Sequence, residues 1–84
     1  MSRYRVISSW DDETRFGSFV TQSAMIKDAV SGHTYVEGAF RVVNAQGKPA
    51  KIGKGGTVPF YGESAWSDAE RLAQDLALAE AYAR

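Results

Sequence analysis

Apolar positions repeat most regularly at the C-terminal end of the chain. Ala65, Ala69, Leu72, Leu76, Ala79 and Ala83 recur at spacings of four and three, which lays them along one stripe of a helix, with Trp66 and Ala73 widening it. Seven alanines among the last twenty residues raise the helix propensity. Ser67, followed three positions later by Glu70, reads as a capping box, and Ser64 offers a cap one turn earlier. Leu72 and Leu76 are the only large aliphatic residues on the stripe, so both are expected to be buried. The alanines make a thin face that suits close approach to a sheet.

Upstream the period shortens to two. Residues 3–10 are rich in β-branched and aromatic side chains and predict a first strand, ended by a turn at the adjacent carboxylates Asp11, Asp12 and Glu13. Over residues 14–20, Thr14, Phe16, Ser18 and Val20 alternate with Arg15, Gly17 and Phe19. This predicts a second strand paired with the first, with Gly17 a bulge or a point of close approach. Residues 22–30 fit two templates: Ala24, Met25, Asp28 and Ala29 share a helical face, while Ile26, Asp28 and Val30 alternate as in a strand. Ser31 and Gly32 supply a hairpin turn with a left-handed glycine, so the segment is read as strand, a short helix capped by Gly32 being the alternative.

Residues 34–43 make the clearest strand and the expected centre of the sheet, with Val36, Phe40 and Val42 on one parity and Tyr35, Arg41 and Val43 on the other. Residues 44–56 hold four glycines, a proline and three lysines, a loop with room for a short hairpin around Gln46 and Gly47. Residues 57–61 allow one more strand, which Pro59, having no amide donor, confines to an edge. The expected fold class is α+β in a single domain spanning 1–84: an antiparallel sheet of three to five strands in hairpins, with the C-terminal amphipathic helix across one face.

Composition narrows the chemistry. Eighty-four residues suit one domain, and 44% hydrophobic with 24% charged residues is ordinary globular usage. Ten cationic against ten anionic side chains give zero net charge, so nucleic-acid binding would need a local patch. The absence of cysteine removes disulfides, thiolate metal sites and Cys nucleophiles. No apolar run near the start has signal-peptide form and none approaches 18 residues, which predicts a cytoplasmic protein without membrane attachment. Gly47, Gly53 and Lys54 imitate a P-loop, but five residues separate the glycines and Gly55 stands where Ser or Thr must bind magnesium. His33 is the only imidazole, and Asp28, Ser31 and His33 share one tight turn that cannot set a triad around a substrate. The expectation is a protein that is not an enzyme and uses no metal or cofactor.

Charge is segregated along the chain. Between residues 38 and 62 lie Arg41, Lys48, Lys51 and Lys54 with no carboxylate, a local positive surface beside the stacking aromatics Phe60 and Tyr61. The same lysines also suit a solvated loop that protects a sheet edge. Residues 63–83 carry Glu63, Asp68, Glu70, Asp75 and Glu80 against Arg71, and Asp11, Asp12 and Glu13 form a second acidic spot. Both fit a partner whose surface is basic. Trp10 and Tyr82 are the aromatics expected at the surface, where they would anchor an interface. The partner-binding candidates are Trp10, Asp11, Asp12, Glu13, Arg41, Lys48, Lys51, Lys54, Asp68 and Asp75.

A near-neutral chain of this length without cysteine, opening with residues 3–10 and hairpins and closing with the Ala-rich segment 67–83, resembles in layout the small phage-encoded inhibitors of host defence, the anti-CRISPR proteins among them. The likeness covers the plan of the whole chain and carries no motif, so no functional residue transfers from it. It implies stoichiometric binding to a larger protein or protein–RNA machine, as a monomer or homodimer, without catalysis. Two readings stand beside it: a small nucleic-acid-binding module using the Gly/Lys loop of residues 47–56, and an accessory or assembly subunit that dimerises through its helix or an open sheet edge.

Overall fold

A computed structural model describes residues 4–52, 55, 56 and 59–83. In chain order the elements are β1 (Tyr4–Val6), β2 (Asp11–Phe16), β3 (Phe19–Asp28), β4 (Thr34–Val43), β5 (Lys51–Ile52), β6 (Gly55–Gly56), β7 (Phe60–Tyr61) and α1 (Ala65–Tyr82). The fold is α+β: an antiparallel sheet in the order β1–β3–β4–β7, with β2 also on β3, and one helix packed on it. β5 and β6 form a separate small ribbon. Arg3 of the expected first strand, and Thr57 and Val58 of the last, lie outside the described residues.

The first two strands differ from expectation. β1 stops at Val6, and Asp11, Asp12 and Glu13 form the start of β2 instead of a turn. Nor do β1 and β2 pair with each other: both lie along the same edge of the ten-residue β3, β1 against Ile26, Lys27 and Asp28, and β2 against residues 19–23. Asp12 points to the face opposite Asp11 and Glu13, and β3 offers side-chain partners to Asp12 and Glu13. Phe16 and Phe19 close a two-residue hairpin at Gly17 and Ser18. Gly17, at φ +56°, takes the left-handed first position of that turn. It is also the expected point of close approach, since a Cβ there would stand 3.2 Å from the Ala77 Cβ of the helix.

The expected strand over residues 14–20 is thus broken by a turn at Gly17 and Ser18: Phe19 and Val20 open β3, which runs on to Asp28, and Ala29 and Val30 of the expected strand 22–30 are turn residues. Residues 22–28 are strand, and the turn after them has the expected form: Gly32 lies at φ +76°, and the Asp28 and His33 backbones bond at 2.9 Å. The fully buried Asp28 carboxylate accepts the Val30 N–H at 2.8 Å. β4 pairs on both sides and is central. Residues 44–48 make the short hairpin, the Asn44 N–H donating to the Lys48 carbonyl at 2.8 Å. β7 is an edge strand of two residues directly after Pro59.

The main core lies between helix and sheet. Phe40, Val42, Ala50, Ala65, Ala69 and Ala73 are buried together, with Phe16, Phe19, Phe60, Leu72 and Leu76 partly buried around them. The stripe is therefore narrower than its spacing suggests: Ala79 and Ala83 are exposed, and Trp66 is 52% exposed instead of widening the buried face. Leu72 and Leu76 are half-buried, and the alanines carry the closest contact. Ser67 is exposed inside the first turn of the helix, so its capping box does not form; Ser64 takes the N-cap position, its hydroxyl donating to Asp68.

The opposite face of the sheet curls into a second, smaller core. Ala24, Ile26 and Ala39 are buried there, in register with Val6 and Tyr61. Across them the rings of Tyr4 on β1 and Tyr61 on β7 meet at 5.1 Å, joining the two edges. The curl needs close backbones, and Gly38 provides them: a Cβ at that position would lie 2.4 Å from the Ala24 carbonyl oxygen and the Ile26 nitrogen.

Candidate partner-binding surface

A β-bulge decides which side chains meet. Asp12 is in register with Gln22 and Thr14 with Thr21, so Glu13 is an extra residue in β2. Without it, Phe16 would share a face with Asp12, four residues away. With it, Phe16 joins Phe19 beneath the helix, and Asp12 points to the curled face with Gln22 and Arg41. The fully buried Thr21 fixes the kink by accepting the Thr14 N–H at 3.1 Å and donating back to the Thr14 carbonyl at 3.3 Å.

On the curled face Asp12, Gln22 and Arg41 form one row across three strands. Gln22 donates through Nε2 to Asp12 Oδ1 at 2.7 Å and accepts from Arg41 Nε through Oε1 at 3.0 Å. Arg41 lies between the buried Ala39 and Val43 on its own strand, so its stem crosses apolar surface. Its guanidinium carbon stands 4.3 Å from the centre of the Trp10 ring, a cation–π contact that also half-buries the indole. This desolvation lowers the Arg41 pKa, while the group stays charged.

On the helix-side face the Ser23 hydroxyl donates to Glu13 Oε1, and Asp11 is in register with Ser23. Asp11, Glu13, Ser8 and Ser23 rim a cavity of about 320 Å³ floored by Ala24, Met25, Gly38 and Phe40. The acidic strand thus shows carboxylates on both faces of an exposed sheet edge, and cross-strand hydrogen bonds hold Asp12 and Glu13 in place.

The ten candidates therefore divide. Trp10, Asp11, Asp12, Glu13 and Arg41 come together around β2. Arg41 is drawn to the acidic strand instead of completing a basic loop. Lys48 is exposed in the turn of residues 44–48. Lys51 belongs to β5, but its side chain, like the whole of Lys54, lies outside the described residues. Asp68 and Asp75 are exposed on the helix, apart from this group, and Glu80 turns inward to accept the Ser18 hydroxyl at 2.7 Å. Of the two aromatics expected at the surface, Tyr82 is 85% exposed, whereas Trp10 is half-buried under Arg41; Trp66, expected on the buried stripe, is exposed instead. Sequence reading missed Gln22 and Ser23, whose part depends on a strand register that no local pattern encodes.

Among the described residues no helix is long and apolar enough to cross a membrane, and no group of three or more His, Asp or Glu is arranged to hold a metal. Set against protein-family models, curated proteins and solved structures, the chain matches none of them.

Proposed function

We propose that this protein works by stoichiometric, non-enzymatic binding to a larger protein or ribonucleoprotein, with the acidic strand β2 and the adjoining Trp10–Arg41 stack as its contact surface. The observation that supports this reading is the fixed presentation of Asp11, Asp12 and Glu13 on an exposed strand, two of them tied to β3. Carboxylates ordered before contact lose little conformational entropy on binding. They also attract a basic patch on the partner at long range, which raises the association rate. The layout shared with phage-encoded inhibitors agrees with this mode of action, in which a site on the partner is covered by shape and charge.

The test is capture of the partner from a lysate of the native host, mass-spectrometric identification, and association kinetics with the purified partner. The Asp11→Lys, Asp12→Lys, Glu13→Lys variant is expected to fold and to associate at least about tenfold more slowly at low salt. An unchanged rate rejects this surface. Micromolar binding to DNA or RNA with a log–log salt slope of about 3–4, the value for four neutralised phosphates, would instead favour the Arg41, Lys48, Lys51 and Lys54 reading.

A further inference from the structure

We infer that Arg41 is a preorganised receptor for a carboxylate of the partner protein, placed beside the acidic strand so that the contact surface reads an alternation of charge. The inference rests on the preceding reading of this surface and adds a second, oppositely charged subsite to it.

An arginine on a sheet usually moves freely, and ordering it opposes binding. Arg41 is already ordered in three ways. The Trp10 ring lies 4.3 Å from the guanidinium carbon, Gln22 holds Nε, and buried neighbours on β4 confine the stem. Gln22 is oriented in turn, because Asp12 takes its Nε2 donor and leaves Oε1 facing Arg41. What remains is the outer end of the fork. The two terminal amino groups have no partner among the described residues, and no buried side-chain nitrogen there lacks one, so these groups reach solvent. A planar guanidinium in this state offers parallel N–H donors matched to the two oxygens of a carboxylate.

Phosphate has the same donor requirement, and the surroundings decide against it. Asp12 is in the same row, and Asp11 and Glu13 flank it in sequence. A nucleic-acid backbone laid over Arg41 would bring successive phosphates against this strand. A protein surface can place one acid on Arg41 and bases against β2, which satisfies both signs at once.

The experiment follows the arginine Nε–Hε resonances of the isolated, isotope-labelled protein during titration with acetate, with inorganic phosphate and with a short single-stranded oligonucleotide, at constant ionic strength set by chloride. The expected result is a saturable acetate shift of the Arg41 signal, with the exposed Arg15 as internal reference moving little. Arg41→Lys, checked for folding by its amide spectrum, should abolish the site, and Trp10→Leu should weaken it about two- to fivefold. An acetate response equal at Arg41 and Arg15 overturns the inference, and so does phosphate or oligonucleotide binding at least tenfold tighter than acetate. Because the wild-type titration needs neither variant nor partner, its outcome is independent of partner capture. A silent Arg41 with intact capture removes only this subsite, whereas failed capture leaves the acetate result standing.

Discussion

Thr21 has no exposure to solvent, and its hydroxyl is bonded both ways to the backbone of Thr14. That one side chain holds the register shift that turns Phe16 inward and leaves Asp12 on the curled face. Thr21→Val keeps the shape and removes the hydroxyl, which strands a backbone donor. The expected cost is about 1–3 kcal/mol, read as a fall in melting temperature of about 4–8 °C per kcal/mol for a domain of this size. Thr21→Ser should recover most of the hydrogen bonding. A valine variant as stable as the wild type would mean that packing alone fixes the bulge.

At the scale of elements, the helix owes its seat to residues with almost no side chain. Ala65, Ala69 and Ala73 are buried, while Leu72 and Leu76 are half-buried at the flanks. Leu76→Ala should therefore cost only about 1 kcal/mol, roughly half of the transfer energy of a buried leucine. Ala69→Leu has to push helix and sheet apart and should cost about 1–3 kcal/mol or more. Chemical denaturation of the two variants checks the order, and the reverse order would move the close contact to the leucines. The helix and the hairpins at Gly32 and Gln46 were legible in the sequence because each is set by neighbours a few residues apart. The pairing of β2 was not, because the alternation over residues 14–20 conceals the turn at Gly17 and Ser18 that splits it between β2 and β3, and because β3 is long enough to take β1 as well. The candidate surface was legible as residue types: Trp10, the three acids and Arg41 stood out by charge and size. Their meeting was not, since it depends on register across three strands and on Gln22, an ordinary polar residue until it stands between Asp12 and Arg41.

At the scale of the molecule, the described residues pack a core on each face of the main sheet, and the two differ in strength. The helix-side core gathers four phenylalanines with the buried alanines, whereas the curled side is closed by a three-residue strand and the ring contact of Tyr4 with Tyr61. Tyr4→Ala should open the curl without releasing the helix. Hydrogen exchange should then quicken at the amides of β1 and β7 and stay unchanged in α1. Uniform acceleration that included Leu72 would show that the two cores unfold as one unit.

The helix that covers the larger core also follows every described strand in the chain. All strands are synthesised by Tyr61, whereas the helix is complete only at Tyr82. At roughly 5–20 residues per second the intervening 21 residues take about 1–4 s, while hairpins form within about 1–10 μs. Until the helix docks, the sheet carries Phe16, Phe19, Phe40 and Phe60 on a face with no lid. Cellular yield of this protein should accordingly follow the rate of translation and the supply of chaperones more closely than it follows the stability of the finished fold.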